Sequence, residues 1–532
     1  MDMKKEELRL ELREVLEARR VLEDASRPEA VKKQHERGKL TARERLDLLL
    51  DPDGRVEYGS MVTTPDGGAL AMTSASDVTK AKDLLMEGPI VCTGFVEGRP
   101  VAVAADDFTV LGGTIHSLGG QKLRRISDLA LRRGMPLIFL IDGGGHRVHN
   151  MDTRMFAAGG SHAPFREMAL MSGWAPIVAA VMGAAYAGPA MFTAMADFVP
   201  VVKGTGWLGM ASPKLVKAGT GEEISHEELA GSAIQARAGA IDLECEDDAD
   251  CIMTIKKFLS YLPSNAAAPL PLKESDDPSD RLCAELRDVI SDERRRAYDV
   301  KKVVNILCDE GTFFELRPGF AKNLVTGFGR LGGLPVGVMA NQPLVFAGTM
   351  DAAACSKAAH FLSTCDAFGL PVVSLIDTPG LFVGSRAESE NTVRQVGRLL
   401  LAWGHVSVPV VSIVMRKAYG GGYVSMGGGR SINSEAAFIW PTAEVCPMGV
   451  EGAVDIAFHR DYESAANPTA RRQELIEELF AQVTPLRAAS GFGVDEILDP
   501  VETRARLINV FRMNSGRRLT FMPPKVHAID SL

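Results

Sequence analysis

Two short runs of small residues, each placed just beyond a long apolar segment, are where this 532-residue sequence could do chemistry with its backbone. In the first half, Ile177–Met182 leads to Ala187-Gly188; in the second, Val410–Met415 leads to Gly420-Gly421-Gly422. A helix is expected to begin directly after each run. The first amides of a helix have no partner inside it, point outward and carry the positive end of its dipole. Glycine lets a carbonyl group approach them closely. The pattern suits stabilisation of an enolate or similar oxyanion, for which preorganised N–H donors are a large catalytic term. The competing reading is that the glycines only permit tight packing; two such turns at matching places weigh against it.

Side-chain candidates are sparser. Asp142 and Asp377 stand at strand ends and read equally as general bases or as caps of the following helix. His116, His146 and His149 fall near turns of the first half but form no spaced cluster, and no metal site is expected. Gly112-Gly113 and Gly143-Gly144-Gly145 do not fit G-x-G-x-x-G, and the sequence has no G-x-S-x-G, H-E-x-x-H or Walker loop. Lys122, Arg124, Arg125, Arg132 and Arg133 share one predicted helix, where they could meet the phosphates of a nucleotide-like ligand or form a solvated face.

The elements that position these residues occur twice. Thr93-Gly94-Phe95 returns as Thr326-Gly327-Phe328, Gly134-Met135-Pro136 as Gly369-Leu370-Pro371, Leu140-Ile141-Asp142 as Leu375-Ile376-Asp377, and Ala185-Tyr186 as Ala418-Tyr419. The offset is 235 residues for the middle matches and 233 for the flanking ones, so the chain is a tandem duplication. Each copy reads as a strand (Val101–Ala105; Val336–Ala340), a helix of about four turns, a Gly-x-Pro turn, a second strand (Leu137–Ile141; Val372–Ile376), a further helix and the third strand. Continuous apolar strands alternating with helices imply an α/β fold with parallel sheets covered on both faces. Pro263, Pro269, Pro271 and Pro278, among alanine and acidic residues, mark a linker between the copies.

Composition excludes several classes. The chain is 46% hydrophobic and 24% charged with a net charge of −9, which speaks against a nucleic-acid or membrane-surface partner. Eight single cysteines without C-x-x-C spacing read as reduced, buried thiols of a cytoplasmic protein. The amino terminus lacks the apolar run of a signal peptide; Leu8, Leu10, Leu12, Val15, Leu16 and Leu22 suggest an amphipathic helix that packs or mediates assembly. The uncharged stretch Ala175–Ala196 imitates a membrane span but contains Pro189 and many small residues, and reads better as a buried strand, turn and helix.

Arg416-Lys417-Ala418-Tyr419-Gly420-Gly421-Gly422-Tyr423, Trp440-Pro441-Thr442-Ala443-Glu444 and Met448-Gly449-Val450-Glu451-Gly452-Ala453 carry a resemblance to a known family. Asn341-Gln342-Pro343, Asp366-Ala367-Phe368 and Asp377-Thr378-Pro379-Gly380 add to it. Over nearly its whole length the chain resembles the carboxyltransferase β subunits of propionyl-CoA and related acyl-CoA carboxylases. The resemblance implies two tandem crotonase-like domains, each a ββα spiral. The expected division is an N-terminal helical segment 1–36, a first carboxyltransferase domain 37–265, a linker 266–280 and a second domain 281–532. It further implies hexameric rings, with the site between the first domain of one subunit and the second domain of its partner.

In that family carboxybiotin, carried by another polypeptide, provides the carboxyl group, and an acyl-CoA accepts it as an enolate. The family pattern places one oxyanion hole at the amides of Gly421 and Gly422 and the other at Ala187 and Gly188, without deciding which serves the biotin ureido oxygen and which the thioester. Gly420, Tyr423, Val424, Tyr186, Gly112, Gly113, Gly144 and Gly145 are the expected substrate contacts. Without an Ala-Met-Lys-Met context the chain bears no biotin itself, so a biotin carboxylase and biotin carrier are expected as partners. Three departures stand out. Pro189 has no N–H to donate, His146 replaces the usual alanine, and Val424 stands where propionyl-preferring relatives can hold Asp. Pro189 and His146 leave open a non-catalytic scaffold, Val424 leaves the acyl-CoA open, and the reversibility of carboxyl transfer leaves open an acyl-CoA decarboxylase or transcarboxylase subunit.

Overall fold

The computed structural model describes residues 9–21, 23–63, 87–147, 163–294, 296–430 and 434–517. Leu8, Leu22 and His149 therefore lie outside the described residues. The chain divides into two compact units, Met1–Ser260 with Ser264–Ala268 and Tyr261–Pro263 with Pro269–Leu532.

In the first unit, α1 (Leu10–Val21), α2 (Pro28–His35) and α3 (Ala42–Leu49) precede the sheet. Leu10, Leu12, Val15 and Leu16 of α1 are exposed, so their side of the helix covers no core among the described residues. A capping box of Thr41 with Glu44 starts α3. The sheet has eight strands: β1 (Val56–Tyr58), β2 (Ile90–Val96), β3 (Arg99–Ala105), β4 (Leu137–Gly143), β5 (Ile177–Tyr186), β6 (Pro200–Val202), β7 (Trp207–Gly209) and β8 (Leu243–Cys245). They run in the order β1-β2-β3-β4-β5-β6-β8, with β7 beside β5. β2 and β3 form an antiparallel hairpin through Glu97-Gly98, both at positive φ as a tight type I′ turn requires. From β3 onward the pairing is parallel. Helix α4 (Ser117–Arg133) makes the β3–β4 crossover and stops at Gly134 in the left-handed conformation.

The second unit repeats this plan. Its strands are β9 (Phe314–Leu316), β10 (Leu324–Leu331), β11 (Leu334–Asn341), β12 (Val372–Thr378), β13 (Val410–Tyr419), β14 (Ala436–Ile439), β15 (Glu444–Cys446) and β16 (Glu496–Ile497), ordered β16-β14-β13-β12-β11-β10-β9 with β15 beside β13. The crossover helix Ala352–Phe368 has 17 residues, as α4 does, and ends at Gly369 in the same conformation. Val338, Leu375 and Ile413 are buried in one core, and Ala104, Phe139 and Val181 in the other. A buried Ile, Leu or Val contributes about 1.5–3 kcal/mol.

The third strands run further than the sequence suggests. Instead of ending at Met182 and Met415, they continue to Tyr186 and Tyr419. A register shift lies after Ile141 in one unit and after Ile376 in the other. It bends the ladder, and β7 and β15 pair with the extensions. The uncharged stretch from Ala175 is thus strand, turn and short helix. Among the described residues no helix is long and apolar enough to cross a membrane.

Candidate functional site

In the first unit β5 delivers the chain into a tight turn at Ala187, with φ 57° and ψ −113°, before the short helix α5 (Gly188–Ala194). Such a backbone costs a non-glycine residue about 1–3 kcal/mol and persists only where its surroundings impose it. As N-cap and first helical residue, Ala187 and Gly188 have no partner for their N–H groups within α5. Ala187 is exposed, and a Cβ added to Gly188 would meet nothing within 4 Å among the described residues. Space therefore lies open beside these amides. Pro189 occupies the first turn of α5, which a proline tolerates.

Tyr186 supports this turn from behind. Its ring is buried against Gly209, and its hydroxyl lies 2.6 Å from Nδ1 of His226, on α6 (His226–Ala230). Burial pushes the phenol up to about 12, so it stays protonated. Trp207 stacks on His226 at 4.4 Å between ring centroids.

The other first-unit glycines gather at the same end of the sheet. Gly113, at φ 67°, lies so close to β4 that a Cβ would fall 2.2 Å from the carbonyl oxygen of Asp142. The amide of Gly144 donates to the carbonyl of Gly112 at 3.2 Å. A Cβ on Gly145 would lie 3.0 Å from Tyr186 O and 3.9 Å from both Ala187 Cβ and Pro189 Cδ. Gly113 and Gly145 are buried, Gly112 half-buried and Gly144 exposed.

In the second unit β13 passes through Tyr419 into Gly420, at φ 51°, the first residue of a short helix, Gly420–Ser425. Gly421 is exposed, and its Cβ position lies 2.7 Å from Leu381 Cδ1. Gly422 is buried, with its Cβ position 2.6 Å from the backbone of Gly380, so close packing by itself requires glycine there. The Tyr419 hydroxyl donates to Glu444 on β15, as the Tyr186 hydroxyl shares a hydrogen bond with His226. Tyr423 is half-buried, its ring lies against Gly428, and burial raises its phenol to about 12. Val424 is 41% exposed. The strand ends align Tyr186 with Tyr419, hence Ala187 with Gly420, Gly188 with Gly421 and Pro189 with Gly422.

Asp142 and Asp377 act neither as free bases nor as helix caps. Asp142 is fully buried and accepts from Lys39 Nζ at 2.5 Å, Arg45 at 3.0 Å and Gln34 at 3.1 Å, with Asp248 also holding Arg45 at 2.8 Å. Asp377, equally buried, accepts from Arg416 at 3.0 Å and from Lys417 Nζ at 2.6 Å. Gly183 is the counterpart of Arg416, and a side chain there would strike the Asp142 carboxylate, at 1.8 Å from its Cβ position. Each unit thus braces the same carboxylate with cations taken from different segments. The peptide N–H of Asp142 donates to Asp106 Oδ2 and that of Asp377 to Asn341 Oδ1, both at 3.2 Å. These braces link positions too distant in the chain for motif reading; only the repeat offset hints at them.

His116 and His146 face one another, with ring centroids 6.5 Å apart and planes 22° from parallel. The cations of α4 do not share a face. Lys122 is buried and donates to the carbonyl of Glu87 at 2.9 Å, and burial pulls its ammonium down to about 8. Arg124 pairs with Glu167, while Arg125 and Arg132 reach Asp128.

A family model described as the carboxyl transferase domain matches residues 33–529. The chain belongs to the carboxyl transferase family. It is 37% identical over 496 residues to the carboxyltransferase subunit of propionyl-CoA carboxylase from Haloferax mediterranei, covering 93% of this chain and 94% of that one. It is 35% identical to the methylmalonyl-CoA carboxyltransferase 12S subunit of Propionibacterium freudenreichii subsp. shermanii, over 97% and 96% of the two chains. The human mitochondrial propionyl-CoA carboxylase beta chain is 37% identical, over 89% and 85%. Among solved structures, a hexameric transcarboxylase 12S with methylmalonyl-CoA and methylmalonic acid bound matches with a TM-score of 0.87 and 33% identity over 97% of each chain. The fold is accordingly two tandem crotonase-like domains, and the protein is a carboxyltransferase enzyme.

Proposed function

We propose that this chain performs the carboxyl-transfer step of a biotin-dependent acyl-CoA carboxylase, moving a carboxyl group from carboxybiotin to the α-carbon of an acyl-CoA of the propionyl type. The observation that carries this reading is the pair of strand-to-helix turns whose first residues, Ala187 and Gly420, share a positive φ. Each turn begins a short helix, whose first amides have no partner within that helix. The reaction has two carbonyl oxygens that change charge, the ureido oxygen of biotin and the thioester oxygen of the acyl-CoA. Two preorganised sets of donors match them.

Carboxybiotin, borne by a partner chain, supplies the carboxyl group. The open space beside Gly188 and the exposed Gly421 fit planar carbonyl groups. Ala187 and Gly188 hold one of these oxygens; Gly421 and Gly422, with Gly420 beside them, hold the other. Tyr186 and Tyr419 keep the turns in place through His226 and Glu444. Val424 borders the acyl chain. Hexameric assembly, as in the 12S structure, and a biotin carboxylase with its biotin carrier as partners complete the reading. Eight free, buried cysteines suit the reducing cytoplasm.

A second reading, transfer between two acyl-CoA-linked partners without ATP, draws support from the likeness to the 12S subunit. An acyl-CoA panel assayed with biotinylated, uncarboxylated carrier, with and without ATP, bicarbonate and biotin carboxylase, separates the two. Formation of carboxylated acyl-CoA only with the full set supports the carboxylase; no transfer to any acyl-CoA would refute both.

A further inference from the structure

A carbonyl oxygen held by the amides of Ala187 and Gly188 brings whatever is bonded to its carbon against the residues flanking the first turn. Two of those residues are exposed methionines. The N–H of Met191, in α5, donates to the carbonyl of Ala187 at 3.0 Å, which sets Met191 one helical turn beyond that residue, and its side chain is 40% exposed. A helical side chain leans toward the amino terminus and covers the turn before it, so Met191 leans back over Ala187 and Gly188. A Cβ on Gly188 would meet nothing within 4 Å among the described residues, so room for a ligand remains beneath it.

Met210 comes from the neighbouring strand. β7 runs parallel to β5 and pairs Gly209 with Tyr186, so the chain leaves β7 at Met210 where β5 passes into Ala187. The second unit shows how close two such exits are. Cys446 pairs with Tyr419 there, and the Cβ position of the next residue, Gly420, lies 2.7 Å from the carbonyl oxygen of Pro447. Met210 is 68% exposed.

The counterparts of Met191 and Met210 are Val424, 41% exposed, and Pro447. Valine is stiff at χ1 and proline is locked by its ring, whereas methionine is unbranched, flexible and polarizable and fills irregular shapes. Of the two turns, the first therefore has the flank that can re-form around hydrocarbon of different lengths. The two carbonyls of the reaction differ in what surrounds them. The ureido carbon is bonded to nitrogens, while the thioester carbon is bonded directly to the α-carbon of an acyl chain. We propose that Met191 and Met210 are specificity-determining residues that border the acyl chain of the acyl-CoA and let the site accept more than one chain length. This rests on the reading of the first turn as an oxyanion hole.

The experiment follows carboxyl transfer to free biotin from a series of straight-chain, α-carboxylated acyl-CoAs of increasing length, starting at malonyl-CoA. It compares Met191→Phe, Met191→Ala, Met191→Leu and Met210→Ala with the unaltered full chain, and thermal unfolding and oligomer size verify folding. The unaltered protein uses more than one length. A methylene more or less in an apolar pocket changes discrimination roughly tenfold or more. Met191→Phe, bulkier and stiffer, therefore lowers kcat/KM for longer members relative to shorter ones about tenfold. Met191→Ala and Met210→Ala shift that ratio the other way, and Met191→Leu, close to methionine in volume, keeps it. The KM for free biotin stays that of the unaltered protein in all four. Unchanged ratios in every variant, with transfer abolished by Gly188→Pro, would overturn the proposal and leave the hole standing. A raised KM for biotin with unchanged ratios would overturn it by placing the methionines beside biotin, and strict use of a single chain length by the unaltered protein would also contradict it. Full transfer by Gly188→Pro would remove the hole and the proposal with it.

Discussion

Ala187 and Gly420 stand at the same step of two duplicated strand-to-helix turns, at φ 57° and 51°. One is a residue for which this conformation is strained and the other is glycine, for which it is not. The strain at Ala187 is therefore imposed by the surrounding fold rather than chosen by the residue.

Replacing Ala187 with Gly removes that strain while leaving the amide in place. Strain relief outweighs the added freedom of the unfolded chain, so the variant gains about 1 kcal/mol, measurable by urea unfolding, with carboxyl transfer retained. A loss of stability would show that Ala187 is comfortable where it is.

Asp106 should make the first unit sensitive to pH. Burial, with Asp142 beside it, raises its carboxyl from the model-compound value of 3.8 to about 7. Between those values the folded protein keeps a proton that the unfolded chain releases, so its contribution to stability falls as pH rises from about 4 to 7 and stays lost above. Asp106→Asn copies Asn341 of the second unit. It raises stability at pH 8 by an amount on the order of a few kcal/mol, with much less gain at pH 4, and the comparison of unfolding curves at the two pH values checks it.

Asp377→Ala strands the cations of Arg416 and Lys417 in the interior. Removing one member of a buried pair costs about 3–5 kcal/mol. Denaturant unfolding should show a loss of that size, where a surface ion pair would give about 1 kcal/mol or less.

Val424, exposed at the end of the second turn, borders the acyl chain in the proposed reading. Val424→Asp should shift kcat/KM among acyl-CoA substrates of different chain length. Unchanged selectivity would place this residue outside the acyl pocket.

Much of this architecture is legible in the sequence because the duplication repeats it. Strands at Val101, Leu137 and Ile177 and their copies follow from apolar runs between Gly-x-Pro turns, and the glycines after each third strand mark the turns themselves. The carboxylate braces were not legible: Lys39 and Arg45 reach Asp142 from 103 and 97 residues away, and no local pattern announces a partner that only the tertiary fold supplies. Tyr186 reads as a substrate contact from its place beside Ala187, but its hydroxyl is committed to His226, 40 residues on. The alignment of Pro189 with Gly422 needed the strand ends. A two-residue change of offset across each copy hides which residue answers which until the register shifts in β5 and β13 are seen.

The most direct test of the central claim, that backbone amides of these turns carry the transfer, is the carboxyl-transfer rate of Gly421→Pro beside that of Gly421→Ala. Alanine keeps the N–H and asks only the flexible end of Leu381 to move; proline removes the N–H at a helix position that tolerates it. The account predicts that the alanine variant stays within about tenfold of the unaltered protein, whereas the proline variant, folded and assembled, loses about 100- to 1,000-fold in kcat. Equal rates for the two variants would contradict it.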